Sequence, residues 1–187
     1  MTQEGEVLDS ADYSYSVKSI SSGYNEQDPR DWIAALKTTI GTLKKKNKAA
    51  ISCLNAIGIA GHMHGATLLD KNGEILHPCI LWNDTRSYKQ ASALDQDINL
   101  RSITGNIVFP GFTAPKVVWI QQNKPEIFEK VAKVLLPASY LGFYLTGDFL
   151  WICLMRLELV GWMLEIGAGQ TMPWMQAICD LIKCQIC

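Results

Sequence analysis

The stretch NAIGIAGHMHGATLLD, Asn55 to Asp70, runs from one apolar block through a glycine-flanked loop into another. AIGIA (Ala56 to Ala60) is short and wholly apolar, which suits a strand buried on both faces, as in sheets covered by helices on each side. The loop that follows then stands at the carboxyl end of a strand, where open α/β sheets bind their ligands. Gly61 and Gly65 let the backbone come close to a bound molecule. His64 can donate or accept a hydrogen bond with a hydroxyl, and Met63 can cover an apolar sugar face. The same residues also admit a metal site built on His62 and His64, or a loop with no ligand at all.

Outward from this loop, helix and strand signals alternate, which gives an α/β class. GEVLDSADYSYSV (Gly5 to Val17) alternates loosely and reads as a strand. In QDPRDWIAALKTTIGTL, Asp28 can cap the first free N–H groups and Pro29 suits the first helical position. Trp32, Ile33, Leu36, Ile40 and Leu43 form one stripe at helical spacing. ATLLDKNGEILHPCILW reads as a hairpin turning at Lys71-Asn72-Gly73. NDTRSYKQASALDQDI reads as a polar helix capped by Asn83 or Asp84. APKVVWIQQN, PEIFEKVAKVL and PASYLGFYLTG read as three more helices.

Composition excludes several classes. The 187 residues carry a net charge of -1 and only 19% charged residues, so neither a nucleic-acid nor an acidic partner is expected. The basic run LKKKNK (Leu43 to Lys48) suits the C-terminal end of a helix, where the dipole favours cations. MTQEGEVLDS is polar and acidic, unlike a signal peptide. Before residue 149 no apolar run reaches the roughly 20 residues of a membrane helix. A cytoplasmic setting is expected, with the six cysteines as thiols. A zinc site needs three or four ligands. The only histidine besides His62 and His64 is His77, and the C-terminal CQIC offers half of a knuckle, so no metal ligand is expected.

Two longer stretches carry a resemblance. GIAGHMHGATLLD…ILHPCILWNDTR and the run from Ser102 to Phe149 resemble the xylulokinases of the FGGY carbohydrate kinase family. GFTAPKVVWIQQN (Gly111 to Asn123) is similar to that family's first signature, Gly-x-Thr-x-x-Lys followed by an apolar-x-Trp pattern. The resemblance implies a ribonuclease-H-like, actin-like ATPase fold, here as an incomplete N-terminal domain of an FGGY sugar kinase. It implies ATP and Mg2+ as cofactors of the parent reaction, transfer of phosphate to the 5-hydroxyl of D-xylulose, and Met63 and His64 as substrate-binding residues. Many relatives carry Gln where His62 stands, so His62 takes no role from it. Asp84, Arg86, Lys116 and Trp119 belong to family-typical motifs. Their plainer reading is a cap, an ion pair and packing.

Departures from the family pattern shape the remaining expectations. Such kinases open on a strand with a motif like Asp-Leu-Gly-Thr-Ser, whereas this chain begins at a stretch resembling the turn between the second and third strands. No catalytic residue is expected here, because the catalytic aspartate and the ATP-binding domain would lie beyond Cys187. Phosphoryl transfer needs nucleotide, metal and charge stabilisation together, so the chain by itself is expected to be inactive and to bind neither ATP nor Mg2+. Residues 1–149 are read as the partial domain and 150–187 as an aberrant tail, not a second domain. Joining the last base of each codon to the first two of the next turns Trp151 to Met163 into Asp-x-Ser-Asp-Ala-x-Gly-Thr-Gly-Trp-Leu-Asp, given suitable synonymous bases. That is close to the family's continuation after LTGDF. A frameshifted stretch from about Leu150 to about Trp174 is therefore expected, with a missing C-terminal kinase domain as its natural partner. A non-catalytic sugar-binding or interaction remnant, and a zinc domain using the C-terminal cysteines, are the other classes. Without the first strand, the strand near Glu6 to Ser14 lacks a neighbour, and a marginal, aggregation-prone chain is expected.

Overall fold

The computed structural model describes residues 1–97 and 106–148. Strands β1 (Lys18–Ser21) and β2 (Tyr24–Gln27) pair antiparallel, and β2 pairs antiparallel with β4 (Cys79–Ile80). A second antiparallel pair joins β3 (Thr67–Leu69) to β5 (Lys133–Leu135), with Thr67 opposite Leu135. A single bridge from Ala66 to Ile80 links the two sheets. The helices are α1 (Pro29–Lys46), α2 (Lys48–Ser52), α3 (Tyr88–Asp95), α4 (Thr113–Asn123), the one-turn α5 (Pro125–Phe128) and α6 (Pro137–Thr146).

Strand alternation sorts the core into two layers. Leu68 and Val134 point to one side, into a cluster with Ile80, Leu94, Val117 and Ile120. Leu69 and Leu135 point to the other, against Trp32, Ile33 and Tyr140. α3 and α4 thus cover one face of the β3–β5 pair, and α1 and α6 cover the other, which is the expected α/β architecture. Each fully buried Leu here contributes about 1.5–3 kcal/mol relative to exposure.

Local signals explain α1. The Asp28 carboxylate accepts from the Arg30 backbone N–H at 3.0 Å, and Pro29 occupies the first turn. Trp32, Ile33 and Ala35 are buried, but the stripe fades along the helix, and Ile40 is 38% exposed. The turn at residues 70–74 forms as expected: Gly73 has φ 84, and the Asp70 carboxylate accepts from the backbone of Asn72 and Glu74.

Four expectations are corrected. Residues 5–17 form no strand. Neither does AIGIA, where Ile57 is 55% exposed. A strand exists through its ladder, and no described strand lies beside either segment. The polar helix starts after Ser87 rather than at Asn83 or Asp84, because the Asp84 carboxylate is held elsewhere, by the Asn25 N–H and by Arg86. PEIFEKVAKVL is not one helix: it gives one turn and then β5, because Val134 and Leu135 are drawn into opposite core layers. The expectations for residues 149–187 lie outside the described residues.

Candidate functional site

The loop after AIGIA has an uncommon backbone. His62 has φ 29 and His64 has φ 63, the left-handed region that non-glycine residues rarely occupy. Such conformations cost on the order of 1–3 kcal/mol each and persist where surrounding structure holds them. The two imidazoles part company. His62 meets the Trp32 ring edge-on at 6.2 Å, and burial lowers its pKa. His64 lies over the Phe112 ring at 4.8 Å with 31° between planes. Met63, between them, is 56% exposed. The loop therefore shows solvent a thioether and a half-buried imidazole backed by an aromatic ring.

Close approach of three segments fixes this surface. At Gly65 an added Cβ would stand 2.6 Å from Pro137 Cγ and 3.0 Å from Cys79 Sγ. At Gly111 it would stand 2.6 Å from the Trp82 carbonyl oxygen. Trp82 itself is 55% exposed, and Phe109 meets Phe112 edge-on at 5.3 Å. Phe112 therefore borders His64 directly, with Phe109 packed on it and the Trp82 backbone against Gly111, and sequence reasoning singled out none of the three. The available signal was the spacing of two aromatics around Pro110-Gly111, at the opening of the Gly-x-Thr-x-x-Lys pattern. On the far side of the loop, a cleft of about 450 Å³ runs from His62 past Trp32 to Tyr13 and Tyr15.

Behind the surface lie buried charges. Arg86 donates to both Asp84 oxygens at 2.7–3.0 Å and to Glu26 Oε1 at 2.6 Å, and its guanidinium lies 4.1 Å from the Tyr24 ring centre and 5.1 Å from that of Trp119. One guanidinium thus bridges two carboxylates away from solvent, which agrees with the ion-pair and packing reading of Asp84, Arg86 and Trp119. Lys116 is fully buried on α4. Its Nζ donates to the His64 carbonyl at 2.7 Å and to the Gly111 carbonyl. Burial pushes its amine down to about 7, while Cys79 and Asp84 oppose that shift. Burial pushes the Cys79 thiol up to about 12.

Among the described residues, no group of three or more His, Cys, Asp or Glu side chains is arranged to hold a metal ion, and no helix is long and apolar enough to cross a membrane. The His77 ring turns to its own neighbour, with Nδ1 2.7 Å from the Pro78 carbonyl.

A family model described as the N-terminal domain of the FGGY family of carbohydrate kinases matches residues 1–153. The chain belongs to the FGGY family of carbohydrate kinases. As an FGGY N-terminal domain it is similar to the xylulose kinase of Escherichia coli (strain K12), 41% identical over 150 residues that make up 80% of this chain and 31% of that protein. It is similar also to the xylulose kinase of Klebsiella pneumoniae, 37% identical over 185 residues, 98% of this chain and 37% of that protein. A crystal structure of a xyloylose kinase from Brucella ovis superposes with a TM-score of 0.70 at 53% identity, covering 71% of this chain and 28% of that one. Plasmodium falciparum glycerol kinase with ADP shares the fold at 21% identity, with a TM-score of 0.75 over 94% of this chain and 37% of that one. The chain thus spans about a third of the length of the curated relatives it matches. Its fold is the actin-like, ribonuclease-H-like ATPase fold of FGGY sugar kinases.

Proposed function

We propose that this chain is the ketose-binding part of a xylulokinase-type kinase, with D-xylulose lying against Met63 and His64. The observation that carries this is the left-handed backbone at His62 and His64, which leaves Met63 exposed beside an imidazole seated on Phe112. A pentulose offers an apolar C–H face to the thioether and hydroxyls to the imidazole. Relatives described as xylulose kinases support the choice of sugar. ATP and Mg2+ would serve the parent reaction, whose product is D-xylulose 5-phosphate. Among the described residues no group of three or more His, Cys, Asp or Glu gathers to hold a metal, and no step of phosphoryl transfer is assigned to them.

The reading extends to organisation. Residues 1–149 act as a partial sugar-binding domain, and 150–187 are a tail with a frameshifted stretch; sequencing the coding DNA against an intact relative tests this, and absence of a one-base shift rejects it. A C-terminal kinase domain is the partner such a domain needs, and the cytoplasm is the compartment that suits its free thiols Cys53 and Cys79.

Titration calorimetry of the purified 187-residue chain with D-xylulose is the direct test. Binding is expected, and His64→Ala is expected to weaken it at least about tenfold through loss of a hydrogen bond in a partly desolvated site. Equal affinity in wild type, Met63→Ala and His64→Ala would reject the site. ATP-dependent formation of sugar phosphate by the chain alone is expected to be nil; turnover would reject the reading of a binding part without catalysis.

A further inference from the structure

Lys116 has no role in the sugar contacts proposed above, yet its placement is demanding. It is fully buried, and its Nζ donates to two neutral carbonyls on separate loops, His64 O at 2.7 Å and Gly111 O. A buried ammonium is costly unless its donors are used. The nearby charges Asp84 and Arg86 bind each other, so the hydrogen bonds of Lys116 go to the two loops instead. Its partners form a closed arrangement. The His64 ring lies over Phe112, Phe112 follows Gly111, and Gly111 presses on the Trp82 backbone so closely that no Cβ fits. The carbonyl that Lys116 holds is that of His64, the residue at φ 63. An N–H donor there fixes the direction of the His64 peptide, and with it the left-handed turn that presents Met63 and the imidazole.

We propose that Lys116 is a positioning residue for the ketose site. Its Nζ ties the His64 loop to the Gly111–Phe112 loop through two hydrogen bonds, so that the thioether, imidazole and aromatic surfaces keep a fixed spacing before sugar arrives. This rests on the sugar-binding reading above. A lysine that only filled space would lend stability without setting affinity per folded molecule.

The experiment compares the full chain with Lys116→Ala by titration calorimetry with D-xylulose, the folded fraction being measured by circular dichroism. Lys116→Ala is expected to bind about tenfold more weakly per folded molecule. Added n-propylamine, which can enter the vacated space and donate to both carbonyls, is expected to restore affinity, whereas n-propanol, with a single donor, at the same concentration is not. Unchanged affinity in Lys116→Ala, or equal rescue by the alcohol, overturns the proposal. If Lys116→Ala does not fold, Lys116→Met, which keeps the volume without the donors, takes its place, and unchanged affinity per folded molecule overturns the proposal. Failure of the wild-type chain to bind D-xylulose removes the sugar-binding reading and this inference with it. Binding by wild type and Lys116→Ala alike removes this inference alone.

Discussion

Gly65 is where the His62–His64 loop meets the core, wedged against Pro137 and the Cys79 sulfur with no space for a methyl group. Gly65→Ala is expected to lower stability by about 1–3 kcal/mol, the usual penalty of overpacking, read as a fall in the urea midpoint. Gly58→Ala, with nothing within 4 Å of its added carbon, is expected to leave the midpoint within about 0.5 kcal/mol of wild type. Lys116 gives a pH signature. Folded, its amine titrates near 7; unfolded, it returns to its ordinary 10.5. Between those values the unfolded chain holds the extra proton, so stability rises with pH. Burial of His62 and His77 acts in the same direction, but below 6.5. Cys79 acts in the opposite direction above 9. Between pH 7 and 9 the wild-type urea midpoint is therefore expected to climb, and that of Lys116→Met to stay level; a climb of equal size in both would refute the assignment. At this scale the sequence was partly legible. Met63 and His64 stood out because glycines flank them. Trp82, Phe109 and Phe112 did not, because a ring on a loop gains meaning only from what folds against it.

At the scale of elements, legibility tracked how local the cause was. α1 could be read from Asp28 and Pro29, since a cap and a fixed φ act within a few residues. Asp28→Ala is expected to cost about 1 kcal/mol, measured by urea unfolding, with the loss confined to the first turn of α1 in hydrogen exchange. The strands were harder. KVL reads as helix in isolation and becomes β5 because Thr67–Leu69 offers a ladder and two apolar layers close over it. AIGIA reads as strand in isolation and is none, since no described strand lies alongside. The start of α3 moved for a related reason. Arg86 and the Asn25 N–H claimed the Asp84 carboxylate that local reading had assigned to a cap.

For the whole molecule, two apolar segments without ladders share one consequence. Val7, Tyr13, Tyr15 and Ile57 are all exposed, and exposed strand-competent segments invite pairing between molecules. The wild-type chain is expected to associate with rising concentration in light scattering. Ile57→Lys is expected to reduce that association while leaving the urea midpoint within about 0.5 kcal/mol of wild type. Unchanged association in Ile57→Lys would shift the cause away from this segment. The buried Glu26–Arg86 pair has a different consequence, in time rather than space. Its partners are 60 residues apart in the chain. A ribosome adding about 5–20 residues per second needs roughly 3–12 s to travel from one to the other. Throughout that interval the Glu26 carboxylate has been made and its guanidinium has not, so β2 cannot bury its charge. The newborn N-terminal hairpin must wait, hydrated and open to chaperones, until the residues around Asp84 and Arg86 emerge and close over it.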